Sequence, residues 1–315
     1  MPERDAVLVR CRATIRDGSK SFAHAARLFP ADVHDAAVLL YAWCRHCDDQ
    51  VDGETLGRRD VEARPSPRSE RLEQLREATR RALAGEPASD PVFVAFERVV
   101  RRHQIPHRYP LELLEGFRMD VEGRRYESIE QLRTYCYHVA GTVGLMMAHV
   151  MGVVDGGSLE RASDLGIALQ MTNVARDVME DARDGRVYLP LAWLSEVGVA
   201  PEAITDPGCA ARVAAVTGRL LDEAERYYAS ATRGLPRLRF RCAWAVAVAR
   251  NVYRAIGTEV RRRGPAAWDD RVVVPRWRKL VGLGSGLVDA GLAVTAGRLG
   301  ASARPELEKG EPTLD

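Results

Sequence analysis

The sequence predicts an all-α protein, and three observations carry that prediction. Apolar residues recur at three- and four-residue spacing almost throughout. Strand signals are nearly absent, since Val272-Val273-Val274 is too short to build a sheet. Gly- and Pro-bearing breakers fall between the periodic runs. The runs cover 6–16, 21–29, 32–56, 69–84, 91–103, 110–122, 128–152, 158–183, 209–233, 239–263 and 276–299, ten or so helices in all. The chain of 315 residues is 46% hydrophobic and 29% charged, which suits a folded protein. We read one helical domain over 1–300 and a polar, mobile tail over 301–315.

In order along the chain, Gly18-Ser19-Lys20-Ser21-Phe22 opens the second run, where the free N–H groups of a helix start favour an anion. The third run is apolar from Ala36 to Cys44 and then carries Asp48 and Asp52. Arg64-Pro65-Ser66-Pro67 and Gly85-Glu86-Pro87 are loops on either side of the fourth. In the seventh, Ala140, Gly144, Ala148 and Gly152 form a small-residue stripe, which fits either room for an apolar chain or a close helix contact. The eighth bears Asn173, Asp177 and Asp181; Gly185 is its C-cap and Pro190 opens the next helix. Asp206-Pro207-Gly208 separates the following pair. The last run is long enough to span a bilayer but is diluted by glycines and Asp289.

Composition excludes several classes. A formal net charge of +2 gives no global field to recruit nucleic acid, and Arg261-Arg262-Arg263 suits a helix C-terminus. The six cysteines sit mostly in apolar helical patterns, so Cys44-x-x-Cys47 reads as packing and not as a redox or zinc motif. The N-terminal stretch has no apolar signal-peptide core. A cytoplasmic protein with reduced thiols is expected, with peripheral membrane contact left open.

The chemistry lies in two acidic faces. Asp48 and Asp52 share one face of a helix, one turn apart, a like-charge spacing that costs a bare helix about 0.2–0.5 kcal/mol. The apolar run before them turns that face inward, where carboxylates without cationic partners need a metal or a raised pKa. Asn173, Asp177 and Asp181 repeat the pattern at i, i+4, i+8. All these groups offer oxygen, which favours Mg²⁺ or Mn²⁺ shared with substrate phosphate oxygens. Arg45, Arg176 and Lys20 stand nearby as phosphate partners. Tyr41 and Phe22 offer rings to a cation. Asp49 points about 100° away from the first face.

Five motifs carry a family resemblance: Ser19-Lys20-Ser21-Phe22; Tyr41-Ala-Trp-Cys-Arg45-x-x-Asp48-Asp-x-x-Asp52-Gly53; Tyr135-Cys-Tyr-His-Val-Ala-Gly-Thr-Val-Gly144; Gln170-x-Thr-Asn173-x-x-Arg176-Asp177-x-x-Glu180-Asp181; and Gly185-Arg186-x-Tyr188-Leu189-Pro190. Together they resemble the squalene/phytoene synthase family, its bacterial phytoene synthases in particular, from Ser19 to the 260s. The resemblance implies a single-domain isoprenoid synthase bundle around a deep central cavity. It implies Mg²⁺ or Mn²⁺ held by Asp48, Asp52, Asn173, Asp177 and Asp181. Diphosphate would be held by Ser19, Lys20, Ser21, Phe22, Arg45, Gln170, Asn173 and Arg176, with Tyr188 covering it and Tyr41 among the catalytic groups. The implied reaction is head-to-head condensation of two geranylgeranyl diphosphates (C20), through a cyclopropylcarbinyl diphosphate, to phytoene, in carotenoid biosynthesis alongside other enzymes of that pathway.

Ala26 and Val38, small and near the expected cavity depth, favour C20 over C15. Farnesyl diphosphate (C15), giving dehydrosqualene or squalene, is the alternative. Asp48-Asp49-x-x-Asp52 also matches head-to-tail elongating synthases, but Asp177-Val-Met-Glu180-Asp181 lacks their paired leading aspartates. A terpene cyclase would share the clamp. An all-α interaction scaffold is the non-enzymatic alternative, which loss of the aspartates would favour; all are present.

Overall fold

The computed structural model describes residues 26–55, 58–59, 67–270, 272 and 276–302. Eleven α-helices order these residues: α1 (Ala31–Asp52), α2 (Arg68–Leu83), α3 (Pro91–His103), α4 (Arg108–Val121), α5 (Ile129–Cys136), α6 (Thr142–Val150), α7 (Gly156–Arg183), α8 (Leu191–Glu196), α9 (Ala210–Thr232), α10 (Phe240–Arg263) and α11 (Arg276–Ser302). The described strands are one antiparallel pair, β1 (Glu54–Thr55) with β2 (Arg58–Arg59), between α1 and α2. The expected segment 6–16, most of 21–29 and residues 303–315 lie outside the described residues; α11 itself runs to Ser302, two residues into the span expected as tail.

Local chemistry sets the helix ends. Gly53 takes a left-handed φ of 71° and stops α1 four residues short of the expected 56. Asp90 caps α3 by accepting from the Val92 N–H at 2.8 Å, and Asp155 caps α7 from Ser158 N at 2.9 Å. Gly185 follows α7 with φ 79°, as expected of a C-cap glycine. Pro190 stands at the N-cap of α8, one residue before its first turn.

The single helix expected over 128–152 is interrupted. Tyr137–Gly141 forms a π-helical turn between α5 and α6. The wide turn sits where backbones crowd most. A Cβ on Gly116 of α4 would lie 3.1 Å from the Val139 nitrogen, and one on Gly166 of α7 would lie 2.8 Å from the Gly141 nitrogen and nearer still to the Ala140 carbonyl. A Cβ on Gly144 would overlap the Ala162 carbonyl. The α6–α7 crossing is therefore backbone against backbone.

Two cores flank this crossing. One packs α1, α2, α3, α4 and α6 around Trp43, whose ring stacks on Phe96 at 4.0 Å. The other packs α7, α9 and α10 around Met171, Val174, Val216 and Leu220. Between them opens a cavity of about 410 Å³, the space that the centre of a water molecule can reach. Its wall comes from α1 (Leu40, Tyr41, Cys44), α6, α7, α10 and Leu283 of α11.

The small-residue stripe thus serves both expected purposes. Ala140, Gly144 and Ala148 line the cavity, Gly144 also lets α7 approach, and Gly152 instead ends α6 with φ 83°. Ala26 and Val38 are buried, but neither lines the cavity, contrary to their expected place at its depth.

Gly166→Ala should destabilise the protein by about 1–3 kcal/mol or more, because a backbone cannot move aside as a side chain does. Gly218→Ala, on a part of α9 where a Cβ meets nothing within 4 Å, should instead gain roughly 0.5–1 kcal/mol. Urea unfolding of the two variants checks the contrast.

Candidate active site

Polar groups gather at one end of the cavity. Tyr41 from α1, Gln170 and Asn173 from α7, and Tyr253 from α10 line it there. Arg161 and Ser158 line it about 18–22 Å further along α7, at ~1.5 Å per residue. The wall between them is apolar: Leu165 and Leu169 from α7, Val143 and Met147 from α6, Val248 and Val252 from α10. The cavity is therefore a long apolar passage along α7 with polar groups at each end.

The two acidic stripes stand at the Asn173 end. On α1, Arg45 reaches both Asp48 (3.0 Å) and Asp49 (2.7 Å). Asp52 pairs with Arg68 at the start of α2. Arg71 donates to the Gln50 and Val51 carbonyls, both at 2.8 Å, so α2 ties down the last turn of α1. On α7, Arg176 makes a two-pronged pair with Asp177, and Arg186 lies 3.5 Å from Asp181. The sequence set Arg45 and Arg176 beside the two faces; the structure pairs each of the four carboxylates with an arginine. Two of those arginines, Arg68 and Arg186, lie beyond the helices that carry the aspartates and gave no spacing signal.

Asp120, at the end of α4, sits between the stripes. It accepts from the Tyr188 hydroxyl at 2.8 Å and from Tyr135 at 3.0 Å, and the two rings stack at 5.0 Å. Tyr188 is thus held from below by Asp120 and Tyr135. Asp120 and Arg186 both interact electrostatically with Asp52 of α1 and Asp181 of α7, which brings the stripes into one field.

Burial dominates the charges here. It pushes Asp48 up to about 6, with Asp52, Asp49 and Asp120 adding repulsion and Arg45 opposing, although the Asp48 side chain stays 45% exposed at the mouth. Burial likewise pushes Asp120 up to about 6 and Asp181 up to about 7. Burial also pushes Tyr41 up to about 12, so its hydroxyl is protonated and its ring presents a neutral face. The Cys44 thiol, pushed to about 12 by burial, is inert, in line with the packing reading.

A metal's fit can be judged from these groups. Asn173 donates from Nδ2 to Gln170 at 3.3 Å, while its Oδ1 is buried with no hydrogen-bond partner among the described residues. An oxygen in that state costs free energy unless something cationic meets it. Among the described residues no three His, Cys, Asp or Glu side chains converge on one point. Mg²⁺ takes one or two carboxylates and fills the rest of its sphere with substrate oxygens, so the oxygen donors of the two stripes are of the type it would need. The Ser19–Phe22 motif lies outside the described residues. Four residues at the site were missed from sequence: Asp120, Arg68, Arg186 and Tyr253. Only Arg186 stood in a motif; Tyr253 is one aromatic on an apolar helix, and Asp120 looked like an ordinary helix end.

The squalene/phytoene synthase family profile matches residues 15–278. A 15-cis-phytoene synthase of Paracoccus sp. (strain N81106 / MBIC 01143) is 49% identical over 282 residues, covering 90% of this chain and 91% of that protein. A 15-cis-phytoene synthase of Pantoea ananas is 46% identical over 283 residues, with coverage of 90% and 91%. Among solved structures, a dehydrosqualene synthase in complex with ligand aligns with a TM-score of 0.81 at 28% identity, over 90% of this chain and 96% of that one.

The three raised aspartates predict a pH dependence. Their folded pKa values exceed the unfolded value near 3.8. The folded state therefore holds protons that the unfolded chain releases, and stability falls as pH rises from about 4 through about 7. In metal-free buffer with chelator, Asp181→Asn should gain thermal stability relative to wild type as pH rises from ~5 to ~8. A constant difference in melting temperature across that range would contradict the assignment.

Proposed function

The chain belongs to the squalene/phytoene synthase family, and we propose that it is a phytoene synthase, a prenyltransferase that joins two geranylgeranyl diphosphates head to head. The carrying observation is the apolar cavity along α7, with both acidic stripes and their arginines at one end. Identities of 46–49% to proteins named 15-cis-phytoene synthase support C20 as the substrate over C15.

Each half of the reaction releases a diphosphate. The first ionisation gives an allylic cation; the double bond of the second substrate attacks it, and a proton leaves as the three-membered ring closes to a cyclopropylcarbinyl diphosphate. That intermediate ionises in turn, rearranges and loses a proton, so two C20 diphosphates yield one C40 hydrocarbon and two diphosphates. Mg²⁺ or Mn²⁺ held by Asp48, Asp52, Asn173, Asp177 and Asp181 would supply charge neutralisation to the departing diphosphate.

The protein's own groups do the rest. Arg45 and Arg176, each paired with an aspartate, would exchange those partners for diphosphate oxygens. Tyr41 and Tyr253 line the head end, where a ring face can stabilise a cation. The apolar wall keeps water from the cations, so they rearrange before they are quenched. Asp120 fixes Tyr135 and Tyr188 beneath the mouth. No enzyme nucleophile is needed.

Purified protein with Mg²⁺ or Mn²⁺ and C20 diphosphate, without reductant, should yield phytoene, identified by mass and absorption. A C15-only product would replace this reading with dehydrosqualene synthesis, and no diphosphate release from either substrate would sink it. Asp177→Ala should keep the fold yet lose at least ~10²-fold in turnover. Mg²⁺ with inorganic diphosphate should raise the melting temperature of wild type and not of Asp177→Ala. This second readout tests the metal site apart from catalysis.

A further inference from the structure

Among the described residues, Arg161 is the only charged side chain on the cavity wall. A charge beside hydrocarbon costs free energy unless it is paired, so its place there calls for a reason. The face of α7 that forms one side of the cavity carries Asn173, Leu169, Leu165 and Ala162 at steps of three and four residues. Ser158 ends that row one turn further on, and Arg161 flanks its last turn.

The Arg161 side chain is fixed at its root and at its tip. Its stem lies against the chain that leaves α9: a Cβ on Gly234 would come 2.8 Å from the Arg161 Cβ and 3.5 Å from its Cγ. Its guanidinium pairs with Asp164 (3.1 Å) and Glu160 (3.3 Å) and donates to the Ser230 hydroxyl of α9. Ser230 in turn donates to Asp164 and accepts from Arg233 at 3.3 Å. Ala231, Gly234 and Leu235, beside this cluster, also line the cavity. Arg161 is therefore a strut between α7 and the end of α9. A hydrocarbon that displaced it would separate the guanidinium from Asp164, at a cost larger than the gain from burying one more methylene.

Length agrees with this placement. Arg161 lies twelve residues before Asn173, ~18 Å along the helix. A C20 prenyl chain has about 16 main-chain carbons and extends roughly 19 Å at ~1.2 Å per bond, whereas a C15 chain has about 12 and extends roughly 14 Å. Measured from Asn173, a C20 chain ends at Arg161. A C15 chain ends between Leu165 and Ala162, against apolar wall and short of the strut. A C25 chain would have to pass it.

Resting on the prenyl synthase reading above, we propose that Arg161, braced by Asp164 and Ser230, is the residue that sets the longest prenyl chain this cavity accepts. The limit is a polar one: the chain stops where the next methylene would meet a paired charge in place of apolar wall.

Titration calorimetry of the full-length protein with n-alkyl diphosphates and Mg²⁺ tests it. These saturated probes form no allylic cation, so binding is read without turnover. In wild type, affinity should rise about two- to fourfold per added methylene up to ~16 carbons and then stop rising. Arg161→Ala should carry the rise on to at least ~18 carbons, and so should Arg161→Met, which fills the place of the stem if the smaller residue unfolds the protein. Arg161→Lys, which keeps a cation on a similar stem, should stop at the wild-type length. With prenyl substrates, use of a C25 diphosphate relative to C20 should grow at least roughly tenfold in Arg161→Met. No break near that length in wild type, the same break in the Ala and Met variants, or a shift in Arg161→Lys as large as in Arg161→Met would each overturn the proposal. Phytoene formed by wild type alongside any of these outcomes would leave the phytoene reading standing, and an intact break without phytoene would count against that reading alone.

Discussion

Five aspartates from three helices share the mouth of an apolar cavity, and the surrounding structure is arranged around their mutual repulsion. Asp48 and Asp52 come from α1, Asp120 from α4, Asp177 and Asp181 from α7. Left alone, such a cluster would protonate or push its helices apart. Arginines from four places hold it: Arg45 within α1, Arg68 from α2, Arg176 within α7 and Arg186 from the loop after α7. Tyrosine hydroxyls hold the fifth carboxylate. The neutralisation is incomplete, which is why burial still raises Asp48, Asp120 and Asp181.

Helix α7 joins this electrostatic task to a steric one. Its first half has no room for a side chain at Gly166, because the backbone at the end of the π turn lies against it. Its second half carries the acidic stripe. A rigid crossing at one end fixes where the carboxylates stand at the other, about 16–22 Å away at ~1.5 Å per residue. The cavity exists because the two cores meet through this narrow crossing and not through interdigitating large side chains. α10 closes the opposite wall, and α11 seals it from outside through glycines, leaving its own large residues facing out.

The helical class was legible in the sequence because a 3.6-residue apolar period needs no tertiary information. Gly53 and Gly185 end helices for local reasons that glycine alone declares. The break at Tyr137–Gly141 was not legible. Residues 128–152 are locally a good continuous helix, and the wide turn sits where glycines from two distant helices let backbones meet. The placement of Val38 failed for a related reason. Distance along a helix says how deep a residue lies but not which way it points, and Val38 turns into packed protein.

The sequence by itself determined which carboxylates form two stripes, because i, i+4 spacing fixes a shared face whatever the fold. It also determined that their ligand atoms are all oxygen. Only the tertiary structure decided how those charges are balanced. Arg68 is 16 residues from Asp52 and Tyr188 is 68 from Asp120. No periodicity links such pairs, because the chain between them is free to fold in many ways until the cores pack. Electrostatic partners across a cavity are chosen by packing, whereas partners along a helix are chosen by the helix.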